Sequence, residues 1–169
     1  MRILRALGFA VGSLLALGLA LTLAARLTDG GFAVLPGGPL ESGELASGPE
    51  PGGDWSFARD IREMTFQLVE PAQSRTVWLL VHDGRLFVAS GYMKSPIGRL
   101  WKRWPAKAER DGRSVIRIEG KRYERRAVRI HERSVFEALS AETERKYGVA
   151  ISADDTVAGE TWVFELLPR

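Results

Sequence analysis

Between Ala6 and Ala25 the chain carries 20 consecutive residues without a charge, and only Ser13 and Thr22 among them are polar. As a helix rising 1.5 Å per residue, such a stretch is about 30 Å long, the hydrocarbon thickness of a bilayer. A helix buried in a soluble domain is rarely apolar on every side over this length. The apolar region of a secretory signal is shorter, usually about 7–15 residues. Residues 1–27 therefore read as a transmembrane anchor, with a signal peptide cleaved after Ala24-Ala25 as the alternative. Arg2 and Arg5 flank one end, and Arg26, soon followed by Asp29, flanks the other. That asymmetry predicts a single-pass protein with a cytoplasmic N-terminus and an extracytoplasmic globular part. Gly8 and Gly12 have the small-xxx-small spacing that lets two membrane helices approach in a homodimer, although glycine is common in membrane spans generally.

The formal charge is +3 and the pI about 9.5, a balance that often signals nucleic acid. Here the excess equals Arg2, Arg5 and Arg26, and the remaining residues hold 21 basic and 21 acidic side chains. A net-neutral part behind an anchor is not expected to bind nucleic acid. Its charge is nevertheless uneven, because residues 75–131 hold 15 basic side chains against five acidic ones. This middle reads as an electropositive mouth for an anionic cofactor or a surface meeting lipid headgroups. The alternative is a set of solvent-facing charges that pair with the acidic flanks. The segment Arg99–Trp104 reads either as an interfacial patch or as a cap on the fold. With no cysteine and only His82 and His131, no metal site is expected. His82 falls in a turn, His131 ends a strand, and Asp154-Asp155 offer no paired-carboxylate geometry, so no catalytic acid or base is assigned.

Residues 28–54 contain eight glycines and four prolines with no sustained period, which predicts a flexible or extended linker. Residues 55–169 are long enough to form one domain with a core. Six strands are expected, at 64–69, 76–81, 85–90, 114–119, 122–130 and 161–167. The apolar run Thr76–Val81 suggests a strand buried on both faces. Asp83-Gly84 and Glu119-Gly120 mark hairpins. Tyr123 and the pair Val128, Ile130 lie on opposite parities, which a bulge near Arg126 would reconcile. Ser134 and Glu137 fit a capping box for a helix over 134–147, with Val135, Leu139, Thr143 and Tyr147 on one face and Gly148 as terminator. Two hairpins, a closing strand and one helix suit a small antiparallel barrel, with an open α+β sheet as the alternative.

Several pieces in order carry a family resemblance: Val77–Val81, Asp83-Gly84, Arg85–Ser90, Lys94-Ser95-Pro96, the Trp-rich connection, Val115–Ile118, Gly120-Lys121-Arg122-Tyr123, Lys146-Tyr147-Gly148 and Trp162–Leu167. Over roughly residues 64–167 the chain resembles the split β-barrel flavin- and deazaflavin-binding proteins. It is most similar to the deazaflavin-dependent nitroreductase and quinone-reductase family. The resemblance implies a six-stranded split barrel that holds a deazaflavin coenzyme or FMN near the end of the third expected strand. Carried over by position, the cofactor-binding residues are Arg75, Ser90, Gly91, Lys94 and Trp101, with Tyr92 against the substrate. The implied reaction is hydride transfer to a quinone or nitro compound. A serine, a glycine and a lysine after a strand do supply a hydroxyl, accessible backbone N–H groups and a cation for an anionic group. Where the family usually carries a Gly-Arg-Lys/Arg-Ser-Gly-like turn, this chain reads Glu70-Pro71-Ala72-Gln73-Ser74-Arg75. The rival expectation is a non-enzymatic membrane-tethered barrel that binds a lipid, a small ligand or a protein partner.

Overall fold

The structure, a computed structural model, describes residues 2–31, 35–46, 48, 53–96, 98 and 102–169. Helix α1 spans Arg2–Arg26. Most of its described apolar side chains stay exposed, Leu7 and Phe9 among them, and only Ala25 near its end is buried against the rest of the chain. This helix, with a mean hydropathy of 2.1 over Leu7–Arg26, is long and apolar enough to cross a membrane.

The globular part is built on strands β1 (Glu44–Leu45), β2 (Glu63–Leu68), β3 (Gln73–Trp78), β4 (Leu80–His82), β5 (Arg85–Ser90), β6 (Arg113–Ile118), β7 (Lys121–Arg129) and β8 (Trp162–Pro168). Three helices accompany them: α2 (Trp104–Arg110), α3 (Arg133–Tyr147) and α4 (Ala153–Val157). The strand order is β3-β2-β6-β7-β8-β5-β4, antiparallel throughout, and β1 adds a short parallel pairing to β7. Strands β3 and β4 stand at the two ends of this order, yet Leu79 alone separates them in the chain. One bent run therefore serves both edges, and the sheet curls into a split barrel as expected, with seven strands in its order and β1 added where six were expected.

The bend at Leu79 is held from outside. Its amide donates to the Arg62 carbonyl and to the Tyr147 hydroxyl, while its carbonyl accepts from Lys146 Nζ at 2.7 Å and Tyr147 Oη at 2.7 Å. Trp78 stacks on Tyr147 with ring centroids 4.3 Å apart. The run expected to be buried on both faces is so only after this bend. Leu79, Leu80 and Val81 are buried, whereas Trp78 stays 44% exposed, with one face stacked on Tyr147.

Two apolar clusters result. Phe66, Leu68, Leu86, Val88, Ile116, Ile118, Tyr123, Phe164 and Trp104 fill the barrel. Leu80, Phe87, Ile130 and Val163 face outward and are covered by Phe136 and Leu139 of α3. This second layer removes the need for the expected bulge. The β7 register runs unbroken from Lys121 to Arg129, with Tyr123, Arg125 and Ala127 inward. Val128 and Ile130 simply belong to the outer face.

Three further expectations are corrected. Glu132, not Ser134, precedes the first turn of α3 and makes no side-chain cap, so the capping box does not form. The helix buries Phe136, Leu139, Glu142, Thr143 and Lys146, a face turned from the expected one, with Val135 and Tyr147 at its margin. Gly148 terminates it in the left-handed conformation, φ 73°, as expected. Finally, the described part of residues 28–46 lies against the barrel. Gly37 donates to the Ser74 carbonyl, buried Leu40 donates to Gln67 Oε1, and Asp29 pairs with Arg117 at 2.9 Å.

Candidate functional site

Both hairpin turns use the conformation that Asp-Gly and Glu-Gly sequences favour. Asp83 and Gly84 have φ of 48° and 69°, and Glu119 and Gly120 have 47° and 79°. The first turn sets the register of β5 and so determines where its far end, Ser90, emerges beside Trp162 of β8.

Ser90 is 3% exposed, and its Oγ has no hydrogen-bond partner among the described residues. A buried polar atom left unpaired costs about 1–3 kcal/mol, so this hydroxyl marks a place where a partner is missing. Gly91 follows. A Cβ there would meet only Thr161 Oγ1, at 3.6 Å, so the backbone is open to approach. Tyr92 then takes φ 62°, a left-handed conformation that a bulky side chain rarely adopts, with its ring 73% exposed. Such strain persists only where surrounding contacts hold it. Here Met93 donates to the Glu160 carbonyl at 2.8 Å, and Ser95 Oγ bridges the Tyr92 carbonyl and the Gly98 amide. A Cβ on Gly98 would fall 1.8 Å from the Tyr92 carbonyl oxygen, so only glycine permits this closure.

The loop gathers cations. Lys102 Nζ donates to the Gly91 carbonyl at 3.2 Å and stands 5.4 Å from the Tyr92 ring centre. Burial pushes its pKa down. The Lys94 stem passes within 3.6 Å of a Cβ position on Gly159. Ser90, Gly91, Tyr92 and Lys94 are thus consecutive parts of one loop that the α4–β8 turn braces. Lys102 is the member that sequence reasoning missed. Its signal was a cation inside the Trp-rich connection, read there as an interface or a cap. Trp101 and its neighbours Arg99 and Leu100 lie outside the described residues.

Arg75 stands apart from that loop in its contacts. Its guanidinium lies 5.7 Å from the centre of the Trp104 ring, and its Nε is buried without a hydrogen-bond partner. Burial and nearby Arg26 lower its pKa to about 10. An aromatic series joins the two places. Trp104 packs on Phe66 and Phe164, and Phe164 on Trp162, the strand partner of Ser90. Trp104 therefore caps the barrel interior rather than reaching out to a membrane.

Among the described residues, open concavities lie at the other rim. One is lined by Asp54, Trp55, Gly84, Arg85 and Glu165, and another by Asp54, Phe57, Glu119 and Tyr123. Arg85 and Glu165 form a two-bond ion pair across the first.

No family model and no curated protein matches the sequence. Solved structures do. A conserved hypothetical protein from Mycobacterium tuberculosis, Rv2991, superimposes with a TM-score of 0.51 and 14% identity, over 76% of this chain and 84% of that one. A putative pyridoxamine 5'-phosphate oxidase from Listeria innocua gives 0.43 and 14%, over 64% and 84%. A NimC/NimA family protein from Clostridium acetobutylicum gives 0.44 and 14%, over 66% and 74%. At these identities the likeness is one of fold, and the first superposition carries it.

Proposed function

We propose that this chain is a membrane-anchored split barrel that binds a flavin or deazaflavin coenzyme at the loop following β5. The observation that supports it best is the buried Ser90 hydroxyl, which has no hydrogen-bond partner among the described residues, beside a cation-bearing loop. The donor set suits a group with an anionic tail. Ser90 Oγ offers a hydroxyl, Gly91 leaves the backbone open, and Lys94 and Lys102 supply positive charge. The exposed Tyr92 ring offers a face for a flat ring or an apolar substrate. When bound, the coenzyme supplies hydride transfer, here to a quinone or nitro compound. The chain's residues bind and orient; none is assigned a proton-transfer role. A tether in the bilayer keeps the barrel where lipid-soluble quinones concentrate, with the N-terminus cytoplasmic and the barrel on the other side.

The test is a fluorescence titration of the full chain in detergent with FMN and with the deazaflavin coenzyme. Saturable binding of one of them is expected. Ser90→Ala and Lys94→Ala should each weaken it about fivefold, the worth of one hydrogen bond of about 1 kcal/mol. Absence of binding at high micromolar coenzyme contradicts the proposal. A second reading, a non-enzymatic barrel for a small ligand or partner, is favoured by the concavities at the opposite rim. It predicts that no coenzyme binds and that a ligand protects Asp54 and Tyr123 instead.

A further inference from the structure

Arg26 is the last residue of α1, and the chain leaves it in a fixed direction. Ala25 is buried, Thr28 bonds back to the Ala25 carbonyl, and Gly38 donates to the Thr28 carbonyl at 2.9 Å. Two close approaches seat this turn on the barrel. A Cβ on Gly38 would come 2.4 Å from the Arg26 carbonyl oxygen, and one on Gly31 would come 2.9 Å from Arg75 Cα. Beside Arg75, the Ser74 amide and hydroxyl both donate to the Gly38 carbonyl, and the Ser74 carbonyl accepts from the Gly37 amide. The end of the apolar helix is thereby locked to β3.

Arg26 and Arg75 both lie at this junction, close enough that the charge of Arg26 disfavours that of Arg75. Neither Arg26 nor Arg75 takes part in any ion pair among the described residues, while eight other arginines do. The Gln73 amide is placed to receive Arg26, and Arg75 keeps its buried Nε unpartnered beside Trp104. Two such cations without an ion-pair partner among the described residues repel each other, and an anion between them would relieve the repulsion. The fork of donors on arginine matches phosphate oxygens. In the membrane-anchor reading, on which this inference rests, the residue just beyond the last apolar turn lies at headgroup depth.

We infer that Arg26 and Arg75 together form a site for the phosphate of one anionic glycerophospholipid, which fixes the barrel against the membrane surface. Occupancy would add a contact between the headgroups and the barrel itself, because Arg75 belongs to β3.

The test uses the full chain in phosphatidylcholine nanodiscs doped with phosphatidylglycerol, released into the gas phase for native mass spectrometry. The wild-type chain is expected to retain one phosphatidylglycerol at least fivefold more often than phosphatidylcholine. Arg75→Gln and Arg26→Gln should each abolish the preference, and Arg75→Lys should restore part of it. Arg26 is exposed, so its variant tests the site even if Arg75→Gln fails to fold. An unchanged preference in Arg26→Gln overturns the inference. So does loss of the retained lipid when inorganic phosphate is added at millimolar concentration, which would identify a free-phosphate site. Failure of the anchor reading shows separately, as a chain that stays in aqueous buffer without detergent.

Discussion

Arg125 occupies an inward position on β7, only 3% exposed, with its guanidinium 4.9 Å from the Trp55 ring centre and 5.7 Å from that of Tyr123. Nη1 donates to the neighbouring Glu124 carbonyl, while Nε and Nη2 have no partner among the described residues. Burial lowers its pKa, a sign that the charged form is disfavoured there. Aromatic faces return about 0.5–2 kcal/mol to a cation, less than desolvation takes from an unpaired one. Arg125→Met is therefore expected to raise the thermal unfolding midpoint of the chain in detergent; a lower midpoint would contradict this account. Lys146 is the opposite case, a buried ammonium with a partner, bonded to the Leu79 carbonyl. Burial lowers its pKa from 10.5 to about 8. The unfolded chain thus holds the proton more tightly, and the penalty on charged Lys146 is complete below about pH 8 and relieved as pH rises toward 10.5. The midpoint difference between wild type and Lys146→Met should shift in favour of wild type across that window. A difference independent of pH would mean that Lys146 is not held as described.

The elements were legible where local chemistry decides them. Asp83-Gly84 and Glu119-Gly120 take the turns their sequences favour, and Gly148 ends α3. Ile130 was misread because its cover, Phe136 and Leu139, comes from a helix that follows it in the chain. Arg125 compounded the error, since a charge at an inward position breaks the apolar alternation that parity arguments use. The bend at Leu79 was equally invisible, for it depends on Tyr147 and Lys146, some 67 residues away. Burial pushes the Tyr147 phenol up to about 12, so its hydroxyl stays protonated and able to donate through the physiological range. Tyr147→Phe removes that hydroxyl from the Leu79 amide and carbonyl and is expected to cost about 1–2 kcal/mol. Equilibrium denaturation measures it; an unchanged stability would show that the bend needs no clamp. At the loop after β5, the expected residues Ser90, Gly91, Tyr92 and Lys94 lie together because they are nearly contiguous in the chain. Lys102 was not, since only the fold carries it back to Gly91.

At the scale of the molecule, the uneven charge is partly answered by the acidic flanks. Arg117 pairs with Asp29, and Arg85 with Glu165. The first joins β6 to the segment after α1 and the second joins the neighbouring strands β5 and β8, so the bland reading of the basic middle holds for them. It does not hold for Arg75, nor for the half-buried Lys102 at the loop. Besides Arg125, two basic places stand out. One lies where the apolar helix joins β3 and the other where β5 ends, linked through Trp104, Phe164 and Trp162. An anchored barrel with a cofactor loop accounts for both, and the second place is its central claim. Hydrogen exchange on the full chain, with and without saturating FMN or deazaflavin coenzyme, reads that claim directly. The account predicts slowed exchange concentrated at Ser90–Lys102 and at the Gly159–Trp162 turn that braces it. Protection confined to Asp54, Gly84 and Tyr123 at the opposite rim, or no protection anywhere, would contradict it.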